Sequence, residues 1–145
     1  MNNSIRIRCS LNNLIVFRDF VTQYLNAYAL NEVVVNQIKL AVDEITANLI
    51  IHANNHDENK FVKLTILQVG DSFLFELKDS GKPFDPQKYR KPNMEDKILK
   101  KEAGGWGLVL VERIMDKVEY LVQDNHNICR LFKKVNKVSA AKVSV

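Results

Sequence analysis

The chain has 145 residues, of which 46% are hydrophobic and 26% charged, proportions that exclude a disordered chain or a fibrous repeat and suit one globular domain. No apolar run reaches the roughly 20 residues that cross a bilayer, and the N-terminus lacks the apolar core of a secretion signal, so we expect a cytoplasmic protein. The formal net charge is +4, and its cations concentrate between positions 88 and 101 and in a tail from Lys133, where we expect a basic loop and a solvated tail.

The first half of the chain is predicted to form a strand, two helices and a hairpin. Residues 5–9 alternate as a short strand, and Ser10 is a good N-cap for the first helix. The apolar stripe of that helix consists of Leu14, Phe17, Val21, Tyr24 or Leu25, and Tyr28. The second, longer stripe consists of Val34, Ile38, Ala41, Ile45, Leu49 and His52. Two further strands, 61–69 and 72–79, join at Gly70-Asp71, a pair typical of a hairpin turn.

The second half contains most of the glycines and prolines of the chain. Four of five glycines and all three prolines fall between positions 81 and 107, which indicates a specialised loop. A helix is predicted over 106–115, and a hairpin of strands 118–122 and 128–133 follows it. The sequence therefore predicts an α+β fold, a two-layer sandwich with a mixed, mainly antiparallel sheet and helices on one face. Cys9 and Cys129 are predicted to be buried free thiols.

Glu44 and Asn48 lie one turn apart on the second helix, at the border of its apolar stripe. The oxygen of Asn48 could hold Mg²⁺, and the carboxylate of Glu44 could take a proton from a hydroxyl group or from water. On spacing alone, an ordinary solvated helix edge is the commoner reason for such a pair.

Asp79 continues the apolar, inward-facing row of the strand 72–79, where a buried carboxylate needs hydrogen-bond donors. A ligand amine, such as the amino group of adenine, is one possible donor. The backbone amide of Gly81 in an ordinary turn is the other, and the sequence alone does not separate them.

Gly104-Gly105-Trp106-Gly107 opens the third predicted helix. Glycines and a helix N-terminus let backbone amides approach a phosphate closely. The string matches neither a Walker loop nor a dinucleotide-binding fingerprint, so a structural turn is the competing interpretation.

Taken in this order, the three motifs resemble those of the GHKL (Bergerat-fold) ATPase superfamily. The resemblance runs from the first strand to about Lys134. Within the superfamily the chain looks most like the anti-sigma factor serine/threonine kinases of the RsbW type. The segment 41–48 resembles their first motif and 79–85 their second, and Gly104-Gly105-x-Gly107 closes the loop that follows.

The resemblance implies a Bergerat-type fold with a single ATP-binding kinase domain over 1–135, a lid at about 86–103 and a basic tail over 136–145. It implies that Glu44 is the general base and that Asn48 coordinates Mg²⁺ at the ATP phosphates. It also implies that Asp79 accepts from adenine beside Gly81. The other nucleotide-binding residues that it implies are Gly104, Gly105, Gly107 and Leu108.

The implied function is that of an ATP- and Mg²⁺-dependent kinase that phosphorylates a serine or threonine of an anti-anti-sigma (STAS-type) partner and sequesters a sigma factor. The family often forms homodimers, and neither nucleic acid nor a membrane is an expected partner. A non-catalytic ATP-binding module stays open as an alternative, because occupancy alone can control a partner.

Two more distant alternatives are a histidine-kinase catalytic domain and a nucleic-acid-binding protein. The first needs a phosphoacceptor histidine on a helical segment ahead of the ATP domain, and His52, His56 and His126 fall elsewhere; His52 is interpreted as a structural residue. The second would carry aromatic residues on a basic surface, whereas most aromatic residues here are predicted to lie in the core.

Overall fold

A computed structural model of the chain describes residues 3–85 and 106–135. The elements, in chain order, are β1 (Ser4–Arg8), α1 (Leu14–Leu25), α2 (Glu32–Asn48), β2 (Phe61–Val69), β3 (Ser72–Asp79), α3 (Trp106–Ile114), β4 (Lys117–Gln123) and β5 (His126–Lys134). The predicted lid at 86–103, Gly104, Gly105 and the basic tail lie outside the described residues. Within the described ranges, no helix is long and apolar enough to cross a membrane.

The five strands form one sheet in the order β1-β2-β3-β5-β4. The sequence predicted a mixed, mainly antiparallel sheet, and every pairing between described strands is antiparallel. The inward-facing side chains of β2 and β3 alternate with outward-facing ones and join the helices in one core. Its fully buried members include Phe17, Ile38, Ile45, Leu64, Phe75, Leu108 and Val111. The predicted α+β sandwich with helices on one face is confirmed.

The two ends of α1 differ from the sequence prediction. Ser10 does act as a cap, but its side chain accepts from the amide of Asn12 and begins a short 3₁₀ turn, so that α1 itself starts at Leu14. Tyr28 lies beyond the end of α1, where its ring packs against that of Phe73 with the centroids 4.9 Å apart. The apolar stripe of this helix is therefore shorter than predicted.

Two hairpin turns fix the register of the sheet. Gly70 has a φ of 62°, the left-handed conformation expected between β2 and β3. Between β4 and β5, Asp124 and Asn125 both have positive φ, at 53° and 63°, as a tight two-residue turn requires. Since this turn is shorter than the predicted loop, β5 begins at His126, and Asn127 becomes a strand residue directly opposite Asp79.

The C-terminal end of α2 widens over Leu49–Ala53 instead of continuing as a regular helix. The amide of Asn54 donates to the carbonyl of Leu49 at 3.0 Å, five residues back. Such wide turns are rare and often occur at functional sites. Here the wide turn brings Ala53 and Asn54 against the end of β3.

The two thiols behave as the sequence predicted. Cys9 and Cys129 are both buried and free. Burial, with the nearby carboxylates of Asp79 and Asp57, raises the pKa of the Cys9 thiol to about 11. Burial also raises the pKa of the Cys129 thiol, so both side chains serve as apolar core residues.

Candidate functional site

The carboxylate of Asp79 is buried at the end of β3, where the side chain is only 3% exposed. Its Oδ2 accepts hydrogen bonds from the amide of Gly81 at 2.8 Å, from Asn54 Nδ2 at 2.9 Å and from Asn127 Nδ2 at 3.3 Å. Its Oδ1 is also buried, yet no donor within residues 3–85 and 106–135 reaches it. Leaving a buried acceptor unpaired costs roughly 1–3 kcal/mol. A donor on a bound ligand would remove this cost, so Oδ1 is a candidate ligand contact.

The two alternative donors predicted for Asp79, the Gly81 amide and a ligand amine, can therefore bind different oxygens of the carboxylate. The turn amide of Gly81 satisfies Oδ2, as the ordinary-turn interpretation required. That bond does not use Oδ1, so a ligand amine can still donate to Oδ1 and both interpretations remain possible.

Asn54 and Asn127 are the site residues that the sequence analysis missed. Asn54 Nδ2 also donates to the carbonyl of Leu49 at 2.8 Å, which ties the widened end of α2 to β3. Asn127 Nδ2 donates to the carbonyl of Lys82 at 2.7 Å, and its Oδ1 accepts from the amide of Phe84 at 2.7 Å. Extending β5 back to His126 would have placed Asn127 on the inward face with Cys129. No comparable signal marks Asn54.

Gly81 allows the turn after β3 to lie directly on the end of α2. A Cβ at this position would lie 2.5 Å from Asn54 Oδ1 and 2.7 Å from Asn54 Cγ, and still closer to the carbonyl oxygen of Ala53. The next amide, that of Lys82, donates to the same Ala53 carbonyl at 2.8 Å. A side chain at position 81 would separate the turn from the helix.

Glu44 lies on α2, half-buried, and contacts the N-terminal end of α3. A Cβ on Gly107 would overlap the carboxylate of Glu44, so this glycine makes room for the acid. The first and third motifs of the sequence are thus in contact. Burial raises the pKa of Glu44, and the adjacent carboxylate of Asp43 raises it further.

Asp43 links the site to α1. Its Oδ2 accepts from Arg18 Nε at 2.7 Å, while no donor among the described residues reaches its buried Oδ1. Burial raises the pKa of Asp43, although the hydrogen bond and the charge of Arg18 act in the opposite direction. The neighbouring acids of α2 thus share a partly desolvated environment.

Asn48 follows Glu44 by one turn of α2 and is 7% exposed. The described part of the chain contains no cluster of three or more His, Cys, Asp or Glu residues that could hold a metal. A Mg²⁺ ion at Asn48 would therefore take most of its ligands from a phosphate group and from water, as Mg²⁺ commonly does.

The remaining predicted residues fall into two groups. Leu108 is fully buried in the core, and its predicted nucleotide contact stays a prediction. His52 lies half-buried in the widened turn, and burial, with a smaller effect of His56, lowers its pKa, which agrees with a structural role. Gly104 and Gly105 are outside the described residues.

Next to the Asp79 cluster is an apolar cavity of only about 10 Å³. It is lined by residues of α2, β4 and β5 and by the segment after Gly81, among them Ile45, Leu49, Phe84, Tyr120, Asn127 and Cys129. The rings of Phe84 and Tyr120 pack with their centroids 6.5 Å apart. In this conformation the apolar side of the site is closed.

Comparison with known proteins gives one family and one type of fold. Residues 7–133 match the family model described as the histidine kinase-like ATPase domain. The serine-protein kinase RsbW of Oceanobacillus iheyensis is 29% identical over 89 residues, which is 59% of this chain and 56% of that protein. The match therefore covers little more than half the length of that relative.

Two solved structures share the fold at low sequence identity. The RsbU and RsbW domains of a Mycobacterium tuberculosis protein align with a TM-score of 0.60 at 13% identity, over 92% of this chain and 32% of that one. The SiaB–SiaC complex of Pseudomonas aeruginosa aligns with a TM-score of 0.59 at 15% identity, over 91% and 89%. At such identities the likeness concerns the fold alone.

Gly81→Ala should destabilise the protein by about 1–3 kcal/mol, because the new methyl group must displace the backbone of Ala53 or the side chain of Asn54. Urea unfolding of the variant and of the wild type measures the difference. Ser80→Ala, one residue earlier and exposed, is the matched control. An equal loss in both variants would show that the close approach at position 81 does not limit stability.

Glu44→Gln should stabilise the protein at pH 7. Because the pKa of Glu44 is raised in the folded state, its ionisation above that pKa opposes folding, and glutamine removes this cost. For a partly exposed group we expect a gain of at most about 1 kcal/mol, which vanishes below the ordinary glutamate pKa of 4.5. Urea denaturation at pH 7 and at a pH well below the ordinary glutamate pKa measures this gain in stability. The exposed Glu58→Gln is the control. A gain that persists at acid pH would contradict the electrostatic cause.

Proposed function

The chain belongs to the histidine kinase-like ATPase domain family, and we propose that it is an ATP-dependent protein serine/threonine kinase of the partner-switching type. Its substrate is a serine or threonine of an anti-anti-sigma (STAS-type) protein, and in its other state it sequesters a sigma factor. The name of the bacterial relative, a serine-protein kinase, supports the reaction class. The fold shared with an RsbW domain agrees with it.

The observation that carries the proposal is the buried Oδ1 of Asp79, which no donor in the described part of the chain reaches. An exocyclic amine is the donor that this acceptor lacks, and adenine carries one at C6. Guanine carries a carbonyl oxygen at the same position, which would face the carboxylate oxygen without a proton between them. The cluster therefore favours ATP over GTP through Oδ1, because the donors of the cluster are all bound to Oδ2.

The apolar wall of the site must open for adenine to enter. The cavity beside Asn127 has a volume of about 10 Å³, far less than a purine base needs. Phe84 forms part of this wall, and its amide donates to Asn127 Oδ1 at 2.7 Å. Because the cavity is too small for the base, we expect Phe84 to shift when nucleotide binds.

Two residues of α2, Asn48 and Glu44, have the remaining roles in the proposed reaction. ATP, when bound with Mg²⁺, supplies the phosphoryl group. Asn48 offers an amide oxygen to the metal, and Gly107 leaves space for the carboxylate of Glu44. Glu44 accepts the proton of the partner's hydroxyl group, and its raised pKa makes it a stronger base than an exposed glutamate.

Asp79→Asn should weaken ATP binding at least about tenfold, since an unmet or repulsive polar contact costs roughly 1–3 kcal/mol. The three donors on Oδ2 require an oxygen at that position. The asparagine must therefore turn its NH₂ group toward the adenine amine. Calorimetry with ATP and GTP on wild type, Asp79→Asn and the control Ser80→Ala measures this effect. The preference for ATP over GTP should shrink in Asp79→Asn alone, and an unchanged preference would contradict the role of Oδ1.

Glu44→Gln should retain ATP binding but lose roughly 10²–10⁴-fold in the rate of phosphoryl transfer, the usual contribution of a general base. The measurement is transfer of labelled phosphate to the cognate anti-anti-sigma protein. The wild-type rate should fall at acid pH with a midpoint above the ordinary glutamate pKa of 4.5, because deprotonated Glu44 is required. Binding without any transfer in the wild type would instead support the non-catalytic ATP-binding module.

A further inference from the structure

Three cations stand side by side on the face of the sheet that the helices leave uncovered. Arg6 of β1 pairs in register with Lys63 of β2, and Lys63 pairs with Lys78 of β3. All three point away from the core, because Ile7, Val62 and Leu77 beside them point inward. Adjacent strands lie roughly 4.8 Å apart, so the row spans about 10 Å. We call these three residues the cationic row.

The cationic row is repulsive in the free protein. Like charges directly opposite one another on neighbouring strands destabilise a sheet. Within the described ranges, no carboxylate forms an ion pair with Arg6, Lys63 or Lys78. The fold therefore keeps three cations side by side without an acidic partner among the described residues, although Arg6 also lies over the ring of Phe61.

The next row along the same strands shows that the sheet can balance its charges. Two residues away, Ser4, Thr65, Glu76, Arg130 and Glu119 occupy successive strands. There the hydroxyl groups of Ser4 and Thr65 lie 3.0 Å apart, and Arg130 Nε pairs with Glu76 Oε2 at 2.9 Å. In contrast to this row, the cationic row lacks balancing negative charge among the described residues, so a negatively charged partner could supply it.

The cationic row lines a groove of about 350 Å³, whose other lining residues include Lys60, Asn59, Asp79 and His126. A second open cavity of about 530 Å³ shares Arg6 and Lys63 and continues to Ser4 at the edge of the sheet. Two hollows that share lining residues suit an extended ligand better than a small anion.

The groove is less suited to nucleic acid or to a second copy of the chain. Phe61 lines the groove, but Arg6 and Arg8 lie over its ring at 4.1 Å and 4.9 Å from the centroid, which occupies the surface that a base would stack on. A second copy would bring an identical row of cations against the first.

We propose that the cationic row is a docking site for an acidic, extended polypeptide segment of a partner protein. Glutamate or aspartate side chains of that segment lie against Arg6, Lys63 and Lys78 and remove their mutual repulsion. The side chains of Lys78 and Asp79 point to opposite faces of the sheet, and this docking site does not rest on the proposed kinase activity.

The test uses a short fluorescent peptide with glutamate at alternate positions, and its glutamine counterpart as a blank. Anisotropy should show salt-sensitive binding of the glutamate peptide to the wild type. Lys63→Gln/Lys78→Gln should weaken it by about five- to thirtyfold, the scale of two exposed charge pairs.

The matched control is Lys117→Gln/Lys134→Gln, which removes the same net charge from exposed lysines already paired with Glu119 and Asp71. This variant should keep its affinity within about twofold, since screened surface charges act weakly at a distance. An equal loss in both double variants would overturn the proposal, because net charge alone would then explain binding. Displacement of the peptide by inorganic triphosphate or duplex DNA at lower concentration than by unlabelled peptide would overturn it as well.

Thermal unfolding provides the second readout and shows whether the variant folds. Lys63→Gln/Lys78→Gln should unfold at a temperature equal to or above that of the wild type, because it removes repulsion. The glutamate peptide should raise the midpoint of the wild type and of Lys117→Gln/Lys134→Gln, and leave Lys63→Gln/Lys78→Gln unchanged. A lower midpoint for Lys63→Gln/Lys78→Gln without peptide would contradict the premise that the row is repulsive.

Discussion

The buried carboxylate of Asp79 is the constraint on which the site depends. A carboxylate this far from water must be compensated by hydrogen-bond donors, and three parts of the chain provide them: the widened end of α2, the turn after β3 and the first residues of β5. Asn54 is tied to the widened turn through the carbonyl of Leu49, and Asn127 is held opposite Asp79 by the sheet register and bonds to the turn through Lys82. Satisfying one oxygen of Asp79 therefore joins helix, turn and sheet, while the other oxygen has no donor among the described residues.

A second constraint acts where α2 meets α3. The space beside Gly107 is filled by the carboxylate of Glu44, whose burial and closeness to Asp43 both raise its pKa. These conditions oppose the folded state at neutral pH and favour proton uptake. The same desolvation thus costs stability and raises the proton affinity of the Glu44 carboxylate, a conflict that would be expected if this carboxylate is the base that we propose.

The sequence predicted most of the elements, and the reasons for success and failure are local. The bounds of β2 and β3 were predicted correctly, because the Gly70-Asp71 turn marks where the first strand ends and the second begins. The start of β5 was missed, because polar residues near a turn look like a loop even when one of them, Asn127, pairs with a buried acid. Asn54 could not be found, since the widening of α2 at Leu49–Ala53 follows from packing against the turn at Gly81 rather than from local propensity. Glu44 and Asn48 stood out only through the order of the motifs around them.

At the end of β3, the two faces of the sheet carry charges in different environments, one buried and one exposed to solvent. Asp79 is turned inward, where an unpaired charge is expensive, and the fold surrounds it with donors. Lys78, its neighbour, is turned outward beside Lys63, where water and salt screen the repulsion and each exposed pair contributes about 1 kcal/mol or less. An unbalanced row of cations therefore costs little free energy of folding on the outer face, whereas the same row in the core would prevent folding. This asymmetry explains why a surface for an acidic partner can persist next to a buried site without weakening it: the two use opposite faces of one strand and different electrostatic regimes.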